Sequence, residues 1–195
     1  MKFNLDQIKS IFKQKRYVFF DSQPYALNII GIRSDNKIAN EYDDWLYLIY
    51  RDENLEVKIH EFSITTDPGT YWLKNPLNVD GTAILVPGQY IASHTLGLHR
   101  GKYEALTQKG PMNIWRDNTR DDILDEDGEI YEGVFGINIH QGNPNAESQT
   151  VEKWSAGCQV FQYPDEYQFF IECCKKSAEM YGVSFTYTLL KEVDF

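Results

Sequence analysis

Short apolar runs closed off by turn-forming residues, with one long helical stretch near the end, restrict this chain to a mainly β architecture. Residues 25–32 (YALNIIGI) lie between Pro24 and Ser34-Asp35-Asn36, and residues 44–50 (DWLYLIY) form a second run. Arg51-Asp52-Glu53-Asn54 reads as a hairpin turn into residues 55–65. There Val57, Ile59 and Glu61 alternate with Lys58, His60 and Phe62, which leaves no clean polar face, and Pro68-Gly69 ends the run. Residues 81–86, 134–140 and 183–190 are further strand candidates. The helical period occurs at residues 4–15, with Asn4 as N-cap and Leu5, Ile8, Ile11 and Phe12 on one stripe. It returns at residues 164–181, where Asp165 and Glu166 open the segment, Lys175 and Lys176 come late and Gly182 follows. The expected class is α+β, mainly β.

Composition narrows the function classes. Hydrophobic residues make up 42% of the 195, enough to bury a core, and the length suits one domain. Acidic residues outnumber basic ones, 29 against 19. A chain with formal net charge −10 is a poor general binder of nucleic-acid phosphates and of anionic membrane surfaces. No window approaches the roughly 18 apolar residues of a membrane span, so no stable membrane insertion is expected. Charges at Asp6, Lys9, Lys13, Lys15 and Arg16 break up any secretory signal. The expectation is synthesis in the cytoplasm, with action in the periplasm or cell wall reached by a non-Sec route. Cys158, Cys173 and Cys174 are odd in number and include sequence neighbours, which is no disulfide framework.

Chemistry concentrates in residues 136–160, GINIHQGNPNAESQTVEKWSAGCQV. One histidine ends an apolar strand candidate, a polar loop follows, and Ser155-Ala156-Gly157-Cys158 closes the stretch. A cysteine nucleophile needs a base, a support for that base and donors for an oxyanion. His140 supplies the base and Cys158 the thiol, while Gly157 permits the tight backbone that aims amides at developing charge. Papain-like and NlpC-like peptidases place the cysteine before the histidine; here His140 comes first.

This order and spacing resemble the L,D-transpeptidases, or YkuD family, whose signature is a histidine, an interval, and Ser/Thr-His-Gly-Cys. Gly110-Pro111-Met112-Asn113-Ile114-Trp115 is similar to that family's Gly-Met-Pro-aromatic segment. Residues 136–142 (GINIHQG) resemble its Gly-Ile-His-Gly strand, and residues 63–71 (SITTDPGTY) its Thr-Pro-x-Gly-x-Tyr segment. The resemblance spans roughly residues 55–163. It implies an L,D-transpeptidase-like β-sandwich or sheet with a helix after the catalytic cysteine. It also implies peptidoglycan stem peptides as partner and no cofactor or metal. By position, Cys158 attacks the L,D peptide bond between a diamino acid and D-Ala, and His140 accepts its proton. The main-chain carbonyl of Gln141 fixes the imidazole tautomer, and backbone N–H groups of Cys158, Gly157 and Ala156 form the oxyanion hole. The thioester then passes to an amine, as in a transpeptidase, or to water, as in an L,D-carboxypeptidase.

The chain departs from the signature at Ala156, where the family has histidine, and at Val160, where it has Asn or Arg. These changes suggest a diverged, phage- or mobile-element-borne branch acting as a hydrolase. The alternative is a non-catalytic wall-binding or virion structural module on the same scaffold. An enzyme is expected to carry a thiolate-prone Cys158. Ser155, Trp154 and Arg116 are the substrate-binding candidates; Arg116 and Arg120 could meet a carboxylate bidentately, and Trp154 either lines the acyl-donor pocket or anchors its loop. Cys173 and Cys174 fit structural thiols, and His60 fits packing. His94 and His99 have an offset that suits no common metal signature. The acidic run 121–129, with Asp127-Gly128, reads as a solvated hairpin turn. Residues 55–195 form the expected catalytic domain, and residues 1–54 are an amino-terminal extension or the first part of the sheet.

Overall fold

The sequence's clearest local signals produce its helices. In the computed structural model, which describes residues 1–195, α1 spans Leu5–Lys15. The Asn4 side chain accepts from the Gln7 N–H, and the Gln7 side chain accepts from that of Asn4, a reciprocal cap. Its stripe of Ile8, Ile11 and Phe12 is buried, each such side chain contributing roughly 1.5–3 kcal/mol. A second helix of one turn and a half, α2 (Thr70–Lys74), follows Pro68-Gly69. The long helix α3 covers Pro164–Tyr181, with proline in its first turn and the Gly182 N–H closing on Ala178.

Strand makes up 36% of the chain and helix 19%, so the fold is α+β and mainly β. The strands are β1 (Asn28–Arg33), β2 (Asp44–Arg51), β3 (Val57–Thr65), β4 (Thr82–Leu85), β5 (Gly88–His99) and β6 (Tyr103–Gln108). They continue with β7 (Met112–Asp117), β8 (Tyr131–Gly133), β9 (Ile139–Gln141), β10 (Gln159–Phe161) and β11 (Ser184–Lys191). Eight of them close a barrel in the order β1-β11-β5-β6-β9-β10-β3-β2, and β4-β7-β8 form a separate small sheet. The sequence led to a sandwich or sheet. Closure instead comes from β1, which pairs in parallel with β11, Ile29 opposite Tyr187, and antiparallel with β2. Strands β1 and β2, within residues 1–54, are therefore staves of the same barrel as β9 and β10.

Burial on both faces explains why β1 reads as a continuous apolar run. Ile29, Leu46, Leu48, Tyr187 and Leu189 join the central core together with Phe170, Ile171 and Cys174 of α3. Ile30, Ile32, Tyr47, Ile49 and Leu190 point the other way, into a cluster roofed by α1. Cys173 and Cys174 are buried, unbridged thiols of α3, and His60 stacks between Tyr50 and Phe62.

Other expectations are corrected. Residues 134–138 are not strand, although apolar, because the buried Gln108 amide takes over their backbone. Its Oε1 accepts from the N–H groups of Phe135 and Ile137, and its Nε2 donates to the Gly133 carbonyl. The acidic run is not a solvated tight hairpin. It lies in the long connection from β7 to β8, and Glu126 turns inward to ion-pair with Lys37, Lys191 and Arg33.

Candidate active site

His140 and Cys158 are carried by neighbouring strands that run side by side. In the parallel β9–β10 pair, Gln159 faces Ile139 and Val160 faces His140. Cys158 precedes β10 and so falls level with Asn138, on the face that also carries His140. Side chains two apart on neighbouring strands are diagonal neighbours within reach of each other. Eighteen positions of separation in sequence are thereby closed by the polar loop.

The imidazole is buried, 3% exposed, and its orientation is set by the backbone. His140 Nδ1 lies 2.7 Å from the Gln141 carbonyl oxygen, which can only accept, so Nδ1 carries the proton. The Tyr103 hydroxyl stands over the same pair, 3.2 Å from Nδ1 and 3.4 Å from that carbonyl. Nε2 keeps its lone pair and has no partner in the protein.

Protonation is governed by desolvation. Burial pushes His140 down to about 3, reinforced by the charge of His99 and opposed by the Gln141 carbonyl. Burial also raises the Cys158 thiol, while the Asn138 backbone N–H and the Arg100 charge pull it back. Burial thus favours a neutral thiol beside a neutral imidazole. Cys158 Sγ donates to the Gly136 carbonyl at 3.4 Å.

The loop that presents Cys158 is clamped from beneath. Ser155, wholly buried, donates its hydroxyl to the Cys158 carbonyl at 2.8 Å and accepts from the Gly157 N–H at 3.1 Å. Ser155 therefore braces the loop and has no face for substrate, and the Gly157 N–H is spent; both are corrections. The N–H groups of Ala156 and Cys158 have no acceptor within the protein. Gly157 sits at φ 114°, and a Cβ there would meet the Ala83 carbonyl oxygen at 2.4 Å. The Pro68-Gly69 segment holds the loop through Gly69 N–H to the Ser155 carbonyl, and Trp72 reaches the Lys153 carbonyl.

Two cavities flank this loop. One, of about 320 Å³, is lined by Ala156, Arg116, Phe135 and Ala83 among others. Arg116 lies over the Phe135 ring and donates to the Gly81 carbonyl. The other, about 330 Å³, is lined by His140, Trp154, Tyr103, His99, Arg100 and Lys153 among others. The structure thus brings Trp154 to His140 in one cavity and Arg116 to Ala156 in the other.

Sequence reasoning missed His99, Arg100 and Tyr103, which come from the β5–β6 hairpin. The His99 ring stacks on His140 at 4.1 Å between centroids. Its Nδ1 faces the Asn138 side-chain amide at 3.2 Å, and the amide oxygen of Asn138 already accepts from the Gln108 N–H. The amide nitrogen therefore donates, and His99 keeps its proton on Nε2. A histidine at the end of β5, considered only as half of a metal pair with His94, carried no other local signal. His94 is fully buried and donates from Nε2 to the Ile137 carbonyl at 2.9 Å.

No helix is long and apolar enough to cross a membrane. Compared with family models, with curated proteins and with solved structures, the chain matches none.

Proposed function

We propose that the protein is a cysteine-dependent acyl-transfer enzyme of peptidoglycan stem peptides, an L,D-transpeptidase or L,D-carboxypeptidase working through a thioester. The observation that carries this reading is the His140–Gln141 contact. It leaves an unprotonated, unpartnered Nε2 on the strand face shared with Cys158. The likeness of residues 136–158 to the L,D-transpeptidase signature supplies the substrate class.

In the first step Cys158 Sγ attacks the scissile carbonyl carbon while its proton passes to His140 Nε2. The oxyanion is met by the N–H groups of Ala156 and Cys158. His140 then protonates the leaving amine as the C–N bond breaks, giving the thioester and free D-Ala. An amine or a water attacks the thioester, gives its proton to Nε2, and the thiolate leaves and recovers that proton. The charge-poor resting pair makes His140 a general base rather than half of a standing ion pair.

The test is mass spectrometry after a short exposure to a carbapenem, with Cys158→Ala alongside. A mass gain in the wild type that disappears in the variant is expected. Turnover of tetrapeptide-bearing muropeptides then separates transfer from hydrolysis. No adduct and no turnover would overturn the enzyme reading.

A second reading, a non-catalytic wall-binding or virion module, is favoured by the raised Cys158 thiol and by alanine at position 156. It requires muropeptide binding that survives in Cys158→Ala, with no covalent adduct in either protein.

A further inference from the structure

The cavity beside His140 differs in charge from the rest of the molecule. Arg100 and Lys102 come to its wall from the β5–β6 turn, and Lys153 from the loop before Cys158; no carboxylate lines it. Ten of the 19 basic side chains ion-pair with a carboxylate within the chain. None of these three does, in a protein where acids outnumber bases 29 to 19. Unpaired cations from two separate segments raise the local concentration of anions, and most strongly in a concave site.

The fixed groups agree in sign. Lys153 is held over the Tyr71 ring at 4.1 Å rather than by an acid. His99, 7% exposed, keeps its proton on Nε2, which has no protein partner. The Arg100 backbone is locked in a left-handed turn with Gly101, φ 49° and 70°. The wall thus offers cations and one N–H donor, with Tyr103 and Trp154 as its aromatic parts.

We propose that this cavity is a carboxylate-reading subsite. Arg100, Lys102 and Lys153 bind a free carboxylate of a peptide substrate next to the bond that Cys158 attacks. The assignment of the ligand to a peptide rests on the acyl-transfer reading. The preference for a carboxylate beside the sulfur does not, and it can be measured without turnover.

Cys158 is alkylated in the intact protein with iodoacetate, which carries a carboxylate, and with its neutral analogue iodoacetamide, the rates being read by peptide mass mapping. The same ratio in the urea-unfolded chain is the reference. The expected result is an iodoacetate preference at least tenfold above that reference, falling to within about twofold of it in Arg100→Gln/Lys153→Gln. The salt dependence of the preference should fall with it, since both residues are exposed. Acetate should protect Cys158 at lower concentration than inorganic phosphate. A ratio equal to the unfolded reference, or one unchanged in the double variant, would overturn the subsite. Stronger protection by phosphate would overturn its assignment to a carboxylate. Failure of the carbapenem and muropeptide tests with the alkylation preference intact would instead sink the enzyme reading and leave the anion site standing.

Discussion

Two polar clusters share one carbonyl and put their groups to opposite use. The Thr66 carbonyl accepts from Arg33 on one side and from Gln159, the residue after Cys158, on the other. Around Arg33, which has no exposed surface, the charged side chains are ion-paired with one another. Its guanidinium donates to Thr66 Oγ1 and the Leu85 carbonyl and pairs with Asp67 at 2.8 Å. Asp44 accepts from the N–H groups of Ser34 and Thr66. At the other side, His140 Nε2, the Ala156 and Cys158 N–H groups and three cavity cations are left over. Buried charges paired within the protein tie β1, β3 and the β7–β8 connection together. Polarity left over beside a cavity is available to a ligand.

Arg33→Met attacks the ion-paired cluster and leaves Asp67, Asp44 and Glu126 without their central cation. Removing one partner from such a buried set costs about 3–5 kcal/mol. Urea unfolding should show that loss, and a change below about 1 kcal/mol would erase the contrast between the clusters. Gly157→Ala strikes the loop of the second cluster. The left-handed backbone and the approach of the Ala83 carbonyl predict a loss of about 1–3 kcal/mol, together with loss of the carbapenem adduct. An adduct at wild-type rate would show that the loop geometry is not needed.

The two clusters should also oppose each other in acid. His140, held down to about 3, and His94, held down to about 4, refuse protons that the unfolded chain takes up below about 6.5. Each therefore makes stability rise with pH from its folded value up to about 6.5. Burial raises Asp67 to about 6, partly countered by Arg33, so its folded carboxyl keeps a proton that the unfolded one has lost. That contribution makes stability fall between about 4 and 6. His140→Gln should flatten the acid limb and Asp67→Asn should steepen it, each on the order of 1 kcal/mol per pH unit. Unfolding curves at pH 4.5, 5.5 and 6.5, about evenly spaced across the window, check both signs. The smallest effect on stability is expected from Trp154→Ala, since the ring is 42% exposed. Unfolding free energy should stay within about 0.5 kcal/mol, while KM for a stem peptide rises.

Legibility followed the range of the interactions. Helix α3 was readable to its ends because acidic first turn, proline and closing glycine all lie in or beside the segment. The candidate pair was readable because a strand-ending histidine and a Gly-Cys both sit in local strings. Strands β5 and β6 were not anticipated. The run GQYIASHTLGLH mixes small, polar and apolar residues, and Ala92 at φ 51° interrupts its alternation. His99, Arg100 and Tyr103 were lost with that hairpin. Ser155 was misassigned to substrate because only packing reveals that its hydroxyl is consumed by Gly157 and Cys158. Glu126 looked solvated because the partners that bury it, Arg33 and Lys191, lie at distant positions.

The sequence by itself determined the β-rich class, the capped helix α1, the long helix α3 and the identities of thiol and imidazole. Each of these depends on neighbours within a few residues or on residue type alone. Tertiary structure decided the closure of the barrel through β1 and β11 and the tautomer and neutral charge of His140. It also decided which loop N–H groups stay free and the gathering of Arg100, Lys102 and Lys153 around one cavity. Those outcomes depend on desolvation and on contacts between residues far apart in the chain, and no local pattern encodes them.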